Sequence, residues 1–217
     1  MDYEIRSTVT PIEFKSNGPG KIVASGVAMA YRSKSRVIEG LFREQFEPGS
    51  FTKTLKEQDI RSHNEHEGPY LARSAVGSLR LTDSSTELSY ELDLPDTTAG
   101  RDAAVLLERG DIAGCSIGFR SIPASEQWSD DGGVQLRTIK EARLFRVDLT
   151  TAPAYASSTA GIAVRSMVDH YGLDPEGIVD ISNLEELRSL IEKHREGGAP
   201  DSRKDSTVER ERISWMY

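Results

Sequence analysis

A strand-rich α+β fold, barrel or sandwich in form, is what this sequence predicts, and three observations carry the prediction. Apolar and polar residues alternate over short runs, most clearly at Leu88, Tyr90, Leu92 and Leu94. Turn-forming clusters such as Ser16-Asn17-Gly18-Pro19-Gly20 and Ser129-Asp130-Asp131-Gly132-Gly133 separate those runs. Helical spacing is confined to one good stretch before residue 110 and one after residue 180.

Taken in order, residues 3–31 read as strands broken at the 16–20 turn, with Val23, Val27, Met29 and Tyr31 on one face. Phe46-Glu47-Pro48-Gly49-Ser50-Phe51 reads as a turn, with Ser50 or Thr52 as cap of a short helix through Leu55. Between Val76 and Leu94 two strands form a half-buried antiparallel hairpin around Asp83-Ser84-Ser85. Thr97 opens a helix whose apolar residues are Ala103, Leu106 and Leu107, and Arg109-Gly110 closes it with a basic last turn and a glycine. Strand character resumes at 115–122. The Ser129–Gly133 loop follows, and then a strand pair near 134–140 and 142–151, ending at Ala152-Pro153-Ala154-Tyr155.

The character changes near residue 165, which divides a domain over 1–165 from a tail over 166–217. Ser182-Asn183-Leu184-Glu185 is a capping box, and Leu184, Leu187 and Ile191 form the apolar stripe of a helix over about 183–196. Residues 197–212 hold charge and small polar groups, a composition expected to be disordered, and Trp215-Met216-Tyr217 reads as a packing or docking end.

Composition narrows the function classes. Of 217 residues 37% are hydrophobic and 29% charged, which suits a soluble globular chain. The net charge of -8 disfavours nucleic-acid binding by phosphate neutralisation. Cys115 is the sole cysteine, so neither a disulfide framework nor a cysteine-rich zinc site is expected. The acidic start Met-Asp-Tyr-Glu lacks signal-peptide character, and no run approaches the ~20 apolar residues of a membrane span. A cytoplasmic protein without membrane attachment or cofactor is the expectation.

One stretch invites chemistry. In Arg109-Gly110-Asp111-Ile112-Ala113-Gly114-Cys115-Ser116-Ile117-Gly118-Phe119, strand phase puts Cys115, Ile117 and Phe119 on one face. Ser116 shares the other face with Gly118 and Arg120, so its hydroxyl is expected on an uncrowded surface, fit for a nucleophile or for an ordinary surface serine. Gly114-x-Ser116-x-Gly118 also fits the nucleophile elbow, but that motif needs strand then helix and the order here is reversed. A serine nucleophile needs a base. His170 and His194 lie in the tail, and His63 and His66 lie in a polar stretch where exposure is the ordinary expectation. With Glu65 and Glu67 they lack the helical spacing of a His-Glu-x-x-His metal pair. Acids for a third role are Glu141, Asp148 and the pair Asp130-Asp131. Asp148 is preferred, although it shares a phase with Arg146 that ordinarily marks a solvated face.

The ordered set Phe46-x-Pro48-Gly49-x-Phe51, Leu71-Ala72-Arg73, Gly77-Ser78-Leu79, Leu94-Pro95-Asp96-Thr97, Gly100-Arg101-Asp102, Arg109-Gly110-Asp111-Ile112-x-Gly114-x-Ser116-Ile117-Gly118-Phe119 and Pro153-Ala154-Tyr155 spans roughly residues 20–165. In this the sequence resembles the prohead proteases of tailed bacteriophages, the capsid-maturation serine proteases of the HK97 family. The resemblance implies a closed or nearly closed β-barrel with flanking helices, similar to herpesvirus assembly proteases. It implies a serine endopeptidase with Ser116 as nucleophile and, by spacing from Ile60 and Arg73, His66 rather than His63 as base. Three positions depart from the family pattern: Glu65 stands for an asparagine, Ala72 for a glycine, and Arg146 near a usual acid. Asp148, two residues on, is the substitute acid, with Glu141 the alternative. The implied substrates are the major capsid protein with its scaffolding segment and the protease itself, inside the assembling prohead in the host cytoplasm. A homodimer follows by analogy with the herpesvirus enzymes. The rival readings are a non-catalytic capsid-assembly scaffold that keeps the fold, and a small-ester hydrolase.

Overall fold

The computed structural model of the protein describes residues 3–8, 11–16, 22–65, 68–151, 157–172 and 184–196. The early elements are β1 (Glu4–Thr8), β2 (Glu13–Ser16), β3 (Ile22–Ala30), β4 (Phe42–Phe46), α1 (Thr54–Glu57), β5 (Arg61–His63) and β6 (Tyr70–Arg73). There follow β7 (Leu79–Asp83), β8 (Glu87–Leu94), α2 (Thr98–Arg109), β9 (Gly114–Ser121), β10 (Glu126–Asp131), β11 (Val134–Ile139) and β12 (Ala142–Thr150). Two helices close the order, α3 (Ser157–His170) and α4 (Leu184–Glu196). The chain divides into two units, Met1–Met167 and Val168–Tyr217. Every described strand lies in the first. In the second, α4 covers the stretch where helical spacing was read, with Leu187 and Ile191 buried.

Local sequence explains the elements that were legible. β7 and β8 form the expected antiparallel hairpin, and Leu88, Tyr90, Leu92 and Leu94 all turn into the core. In α2 the Thr97 hydroxyl accepts from the Gly100 amide (3.2 Å), and Gly110 ends the helix at a φ of 77°, a left-handed turn that glycine adopts without cost.

The strands build three sheets rather than one closed wall. The first runs β1-β9-β12-β5-β6, the second β2-β3-β8-β7, the third β10-β11-β4. The mixed α+β, strand-rich class stands, but the expected barrel closure does not occur among the described residues. Where β1 meets β3, side chain replaces ladder. The Thr8 hydroxyl lies within hydrogen-bond reach of the Val27 and Ala28 carbonyls (3.3 and 3.4 Å), beside an irregularity between Val27 and Met29. The first two sheets share one core instead: Cys115, Ile117 and Phe119 of β9 join Leu88, Tyr90 and Leu92 of β8, with Ala103 and Leu107 of α2.

Several local expectations are corrected. The strands near 134–140 and 142–151 are not partners. β11 pairs β10 and runs parallel to β4, while β12 lies between β9 and β5. The supposed loop at 129–133 is mostly strand β10, and only Gly132 and Gly133 turn, both at positive φ. Neither Ser50 nor Thr52 caps α1. The cap position is Lys53, with no side-chain bond, and the Ser50 hydroxyl is directed at the Glu47 and Ile139 carbonyls. β4 and α3 were not foreseen. The 16–20 turn past Ser16, the Ala152–Tyr155 motif, the Ser182-Asn183 cap, the charged stretch 197–212 and the terminal Trp215-Met216-Tyr217 lie outside the described residues.

A buried ion cluster ties the first and third sheets. Arg137 on β11 is fully buried and donates to Glu4 of β1 (2.8 and 3.1 Å), Glu44 of β4 (2.8 Å), Glu126 of β10 (2.7 and 3.0 Å) and the Ser121 hydroxyl of β9 (2.6 Å). Arg6 adds a second guanidinium between Glu4 and Glu44. Burial alone would push the Arg137 pKa down, but Glu44 and Glu4 hold it above the ordinary arginine value. Burial lifts Glu4 above the usual carboxylate range, with Glu44 adding to the rise, against the pull of Arg137. Glu126 goes the other way: its burial is outweighed by Arg137, so it ionises more readily than an ordinary glutamate.

Removing one partner of a buried ion pair strands the others without solvent, at a typical cost of roughly 3–5 kcal/mol. Arg137→Ala should therefore lower the unfolding free energy by about that much in urea titrations, whereas Thr97→Ala, losing one cap, should cost about 1 kcal/mol.

Candidate active site

Strand parity decides which side chains meet on the outer face of the first sheet. β1 presents Ile5 and Ser7 there, with Tyr3 just before it, because its even residues Glu4 and Arg6 are committed to the ion cluster. β9 presents Ser116 and Gly118, its odd residues being core. On β12 an irregularity between Leu144 and Arg146 resets the phase, so Arg146 and Asp148 face this side while Val147 and Leu149 stay in the core.

Register then sets these residues in one row. Ser7 lies opposite Ser116, and Ser116 opposite Asp148. Arg61 pairs with Arg146 in the parallel ladder and Asn64 bridges Leu149, which brings His63 level with Asp148. His63 in turn faces Tyr70 on β6, their rings edge to face at 5.4 Å. Five neighbouring strands thus contribute Ser7, Ser116, Asp148, His63 and Tyr70 to one line.

The contacts along the row are specific. The Ser7 and Ser116 hydroxyl oxygens are 2.6 Å apart. Asp148 Oδ1 accepts the His63 amide (2.9 Å) and lies 3.3 Å from His63 Nδ1, and Asp148 Oδ2 accepts from Arg146 Nε. Arg146 also donates to the Tyr3 hydroxyl (2.8 Å) and comes within 3.4 Å of His63 Nδ1. Gly118 makes room for that arginine: a Cβ there would stand 2.5 Å from Arg146 Cγ.

Burial overturns three expectations. Ser116 is wholly inaccessible, not on an uncrowded face. Asp148 is equally buried and Arg146 only 12% exposed in its side chain, so their shared phase marks a desolvated ion pair and not a wet surface. His63, read as an exposed loop residue, is on β5 with its side chain 23% accessible. Of the other acids, Glu141 pairs with Lys53 (3.3 Å) and Asp131 with Lys34 (2.7 Å), neither at this row. Asp130 accepts the Gly133 amide in the β10–β11 turn (3.3 Å). His66 and Glu67 lie outside the described residues.

Sequence reasoning missed Ser7 and Tyr3 altogether, because β1 and β9 are more than a hundred residues apart and nothing local announces their register. A signal for the Arg146–Asp148 pair was present: opposite charges two apart on one strand face can pair with each other. Glu65 has a left-handed φ of 57°, which suits the asparagine usual in the resembling family better than a glutamate. Its carboxylate accepts from the Thr151 amide (2.7 Å) and the Thr150 hydroxyl (3.1 Å), pinning the turn after β5 to the end of β12. Cys115, on the core face, is no rival nucleophile. Burial, reinforced by the Asp148 charge, pushes its thiol far above the ordinary range.

A buried hydroxyl beside a carboxylate that is itself braced by a guanidinium and a histidine suits nucleophilic hydrolysis. The family model for caudovirus prohead serine proteases matches residues 10–172. Among solved structures, the bacteriophage T4 capsid assembly protease is similar at 11% identity and a TM-score of 0.49, over 69% of this chain and 97% of that one. No curated protein matches.

Filling the space above Gly118 tests the packing of the row. Gly118→Ala should force Arg146 aside and destabilise the fold by about 1–3 kcal/mol. In the double variant Gly118→Ala/Arg146→Ala the two costs should sum to less than their separate values in thermal or urea unfolding.

Proposed function

The chain belongs to the caudovirus prohead serine proteases, and on that premise we propose that it is a serine endopeptidase whose nucleophile is Ser116 and whose acid is Asp148. The observation that carries this reading is the register that sets Ser116 directly across from a buried Asp148. A histidine takes the proton from Ser116 Oγ as that oxygen attacks a peptide carbonyl. As the tetrahedral intermediate collapses, the imidazolium gives that proton to the leaving amine, and the same histidine then activates the water that resolves the acyl-enzyme. Asp148 supplies the negative charge that favours the imidazolium.

The base is assigned to His66, on the spacing of the family resemblance. His63 Nδ1 faces both Asp148 and Arg146, which builds that ring into the support of the carboxylate. A second reading gives the base role to His63, favoured by its 3.3 Å approach to Asp148 Oδ1. The substrates are the major capsid protein with its scaffolding segment and the protease's own tail, cut inside the assembling prohead in the host cell. A homodimer is part of the proposal. No helix among the described residues is long and apolar enough to cross a membrane.

Intact-mass spectrometry after coexpression with the capsid protein tests the assignment. Ser116→Ala and His66→Ala should each abolish trimming, since loss of a nucleophile or its base costs on the order of a millionfold in rate. Cleavage that survives His66→Ala but not His63→Ala moves the base to His63. Wild-type chain that trims nothing inside assembled particles returns the non-catalytic scaffold reading.

A further inference from the structure

Beside the row of Ser116, Asp148, His63 and Tyr70, a second row of side chains has no part in the mechanism. Arg146 lies opposite Arg61 in the parallel ladder, and Arg61 opposite Arg73 in the antiparallel one. Three arginines therefore cross β12, β5 and β6 in register. Arg61 is two residues from His63 and Arg146 two from Asp148, so strand phase sets them on the face that carries those side chains.

Like charges directly opposite one another in a sheet repel, so the fold gains nothing by lining them up. Two carboxylates offset the row. Asp148 accepts from Arg146. Asp59 pairs with Arg73 at 2.5 Å, and Arg61 stands 3.9 Å from the same oxygen, while the other oxygen accepts the Ala75 amide (3.0 Å). The Arg73 guanidinium holds the Asp59 carboxyl below its usual range, so Asp59 is ionised at neutral pH. Arg61 and Arg73 thus share one carboxylate, and positive charge is left over. Both are open to solvent, with side chains 61% and 42% exposed. Tyr70 links the two rows: its ring meets His63 edge to face, and its phenol lies in the field of Arg73, Asp59 and Arg61.

In the sheet order β9-β12-β5, Arg61 is two strands from Ser116 and two residues along from its level. At about 4.8 Å per strand and about 3.3 Å per residue, the two positions are roughly 12 Å apart, the length of three or four residues of extended peptide. We propose that Arg61, with Arg73 beside it, is a specificity site that takes an aspartate or glutamate of the substrate three or four residues from the scissile bond. This rests on the reading of Ser116 as nucleophile. A guanidinium matches a carboxylate in charge and in planar geometry, and an acidic side chain arriving there gives the pair its second carboxylate.

The test follows trimming of the coexpressed capsid protein by the full chain inside particles, with cut positions and rates read by intact mass. An Asp or Glu is expected three or four residues from the cut, and its replacement by the amide should slow trimming about tenfold. Arg61→Gln should trim the acid and amide substrates within about twofold of one another. Arg61→Glu should slow the unaltered substrate by about tenfold or more, and lysine at that substrate position should restore its rate to within about threefold. The thermal midpoint of Arg61→Glu should equal or exceed that of wild type, because a glutamate between Arg146 and Arg73 replaces repulsion by attraction. A lost rate is then not a lost fold. A cut with no acid within four residues, wild-type trimming by Arg61→Glu, or a loss in Arg61→Glu that lysine does not restore would each overturn the proposal and leave the reading of Ser116 standing. Wild type that trims no more than Ser116→Ala overturns the nucleophile itself, and the specificity site with it.

Discussion

The guanidinium of Arg137 is the constraint on which the site depends. It holds carboxylates from β1, β4 and β10 and a hydroxyl from β9, so that two sheets with no backbone ladder between them among the described residues share one electrostatic centre. Three carboxylates, Glu4, Glu44 and Glu126, face two guanidiniums, Arg137 and Arg6, in a volume from which water is largely excluded. Ionised groups persist in such a volume only when each is paired. Because Glu4 and Arg6 must point inward to satisfy the cluster, Tyr3 and Ser7 must point outward, and that parity is what delivers them to the outer face of the first sheet.

That outer face repeats the logic on a smaller scale. Asp148 is buried and spends one oxygen on Arg146 and the other on His63. Gly118 gives the arginine its berth, Tyr3 fixes the far side of its guanidinium, and Glu65 clamps the end of β12. Each of these supports is a hydrogen bond or the space left by a missing side chain.

What could be read from sequence was what is local. The β7–β8 hairpin and α2 announce themselves through alternation, a threonine cap and a terminal glycine, all within a dozen residues. β4 escaped because Phe42–Phe46 is short and its polar alternates looked like loop, and α3 because its small residues give a weak stripe. The barrel was expected because strand count and length say nothing about whether the last pair of edges will close. Asp148 was misjudged for a physical reason: strand phase cannot distinguish a charged residue that faces water from one that faces an oppositely charged neighbour. Its position across from Ser116 depends on a register between strands 32 residues apart, and its position beside His63 on one 85 residues apart.

The parallel pairing of β12 with β5 has a consequence for when the site can exist. Parallel neighbours require a crossover, and here the crossover contains the second sheet's hairpin, α2, β9 and the third sheet's β10–β11 pair. Asp148 and His63 can meet only after all of that chain has been made and threaded into place, a late event in any folding order because loop closure over such a span is slow. A nascent chain emerging from a ribosome has Ser116 before it has the carboxylate opposite it. The meeting of Asp148 and His63 is thus timed by topology: the unfinished polypeptide lacks it, and only the completed crossover supplies it.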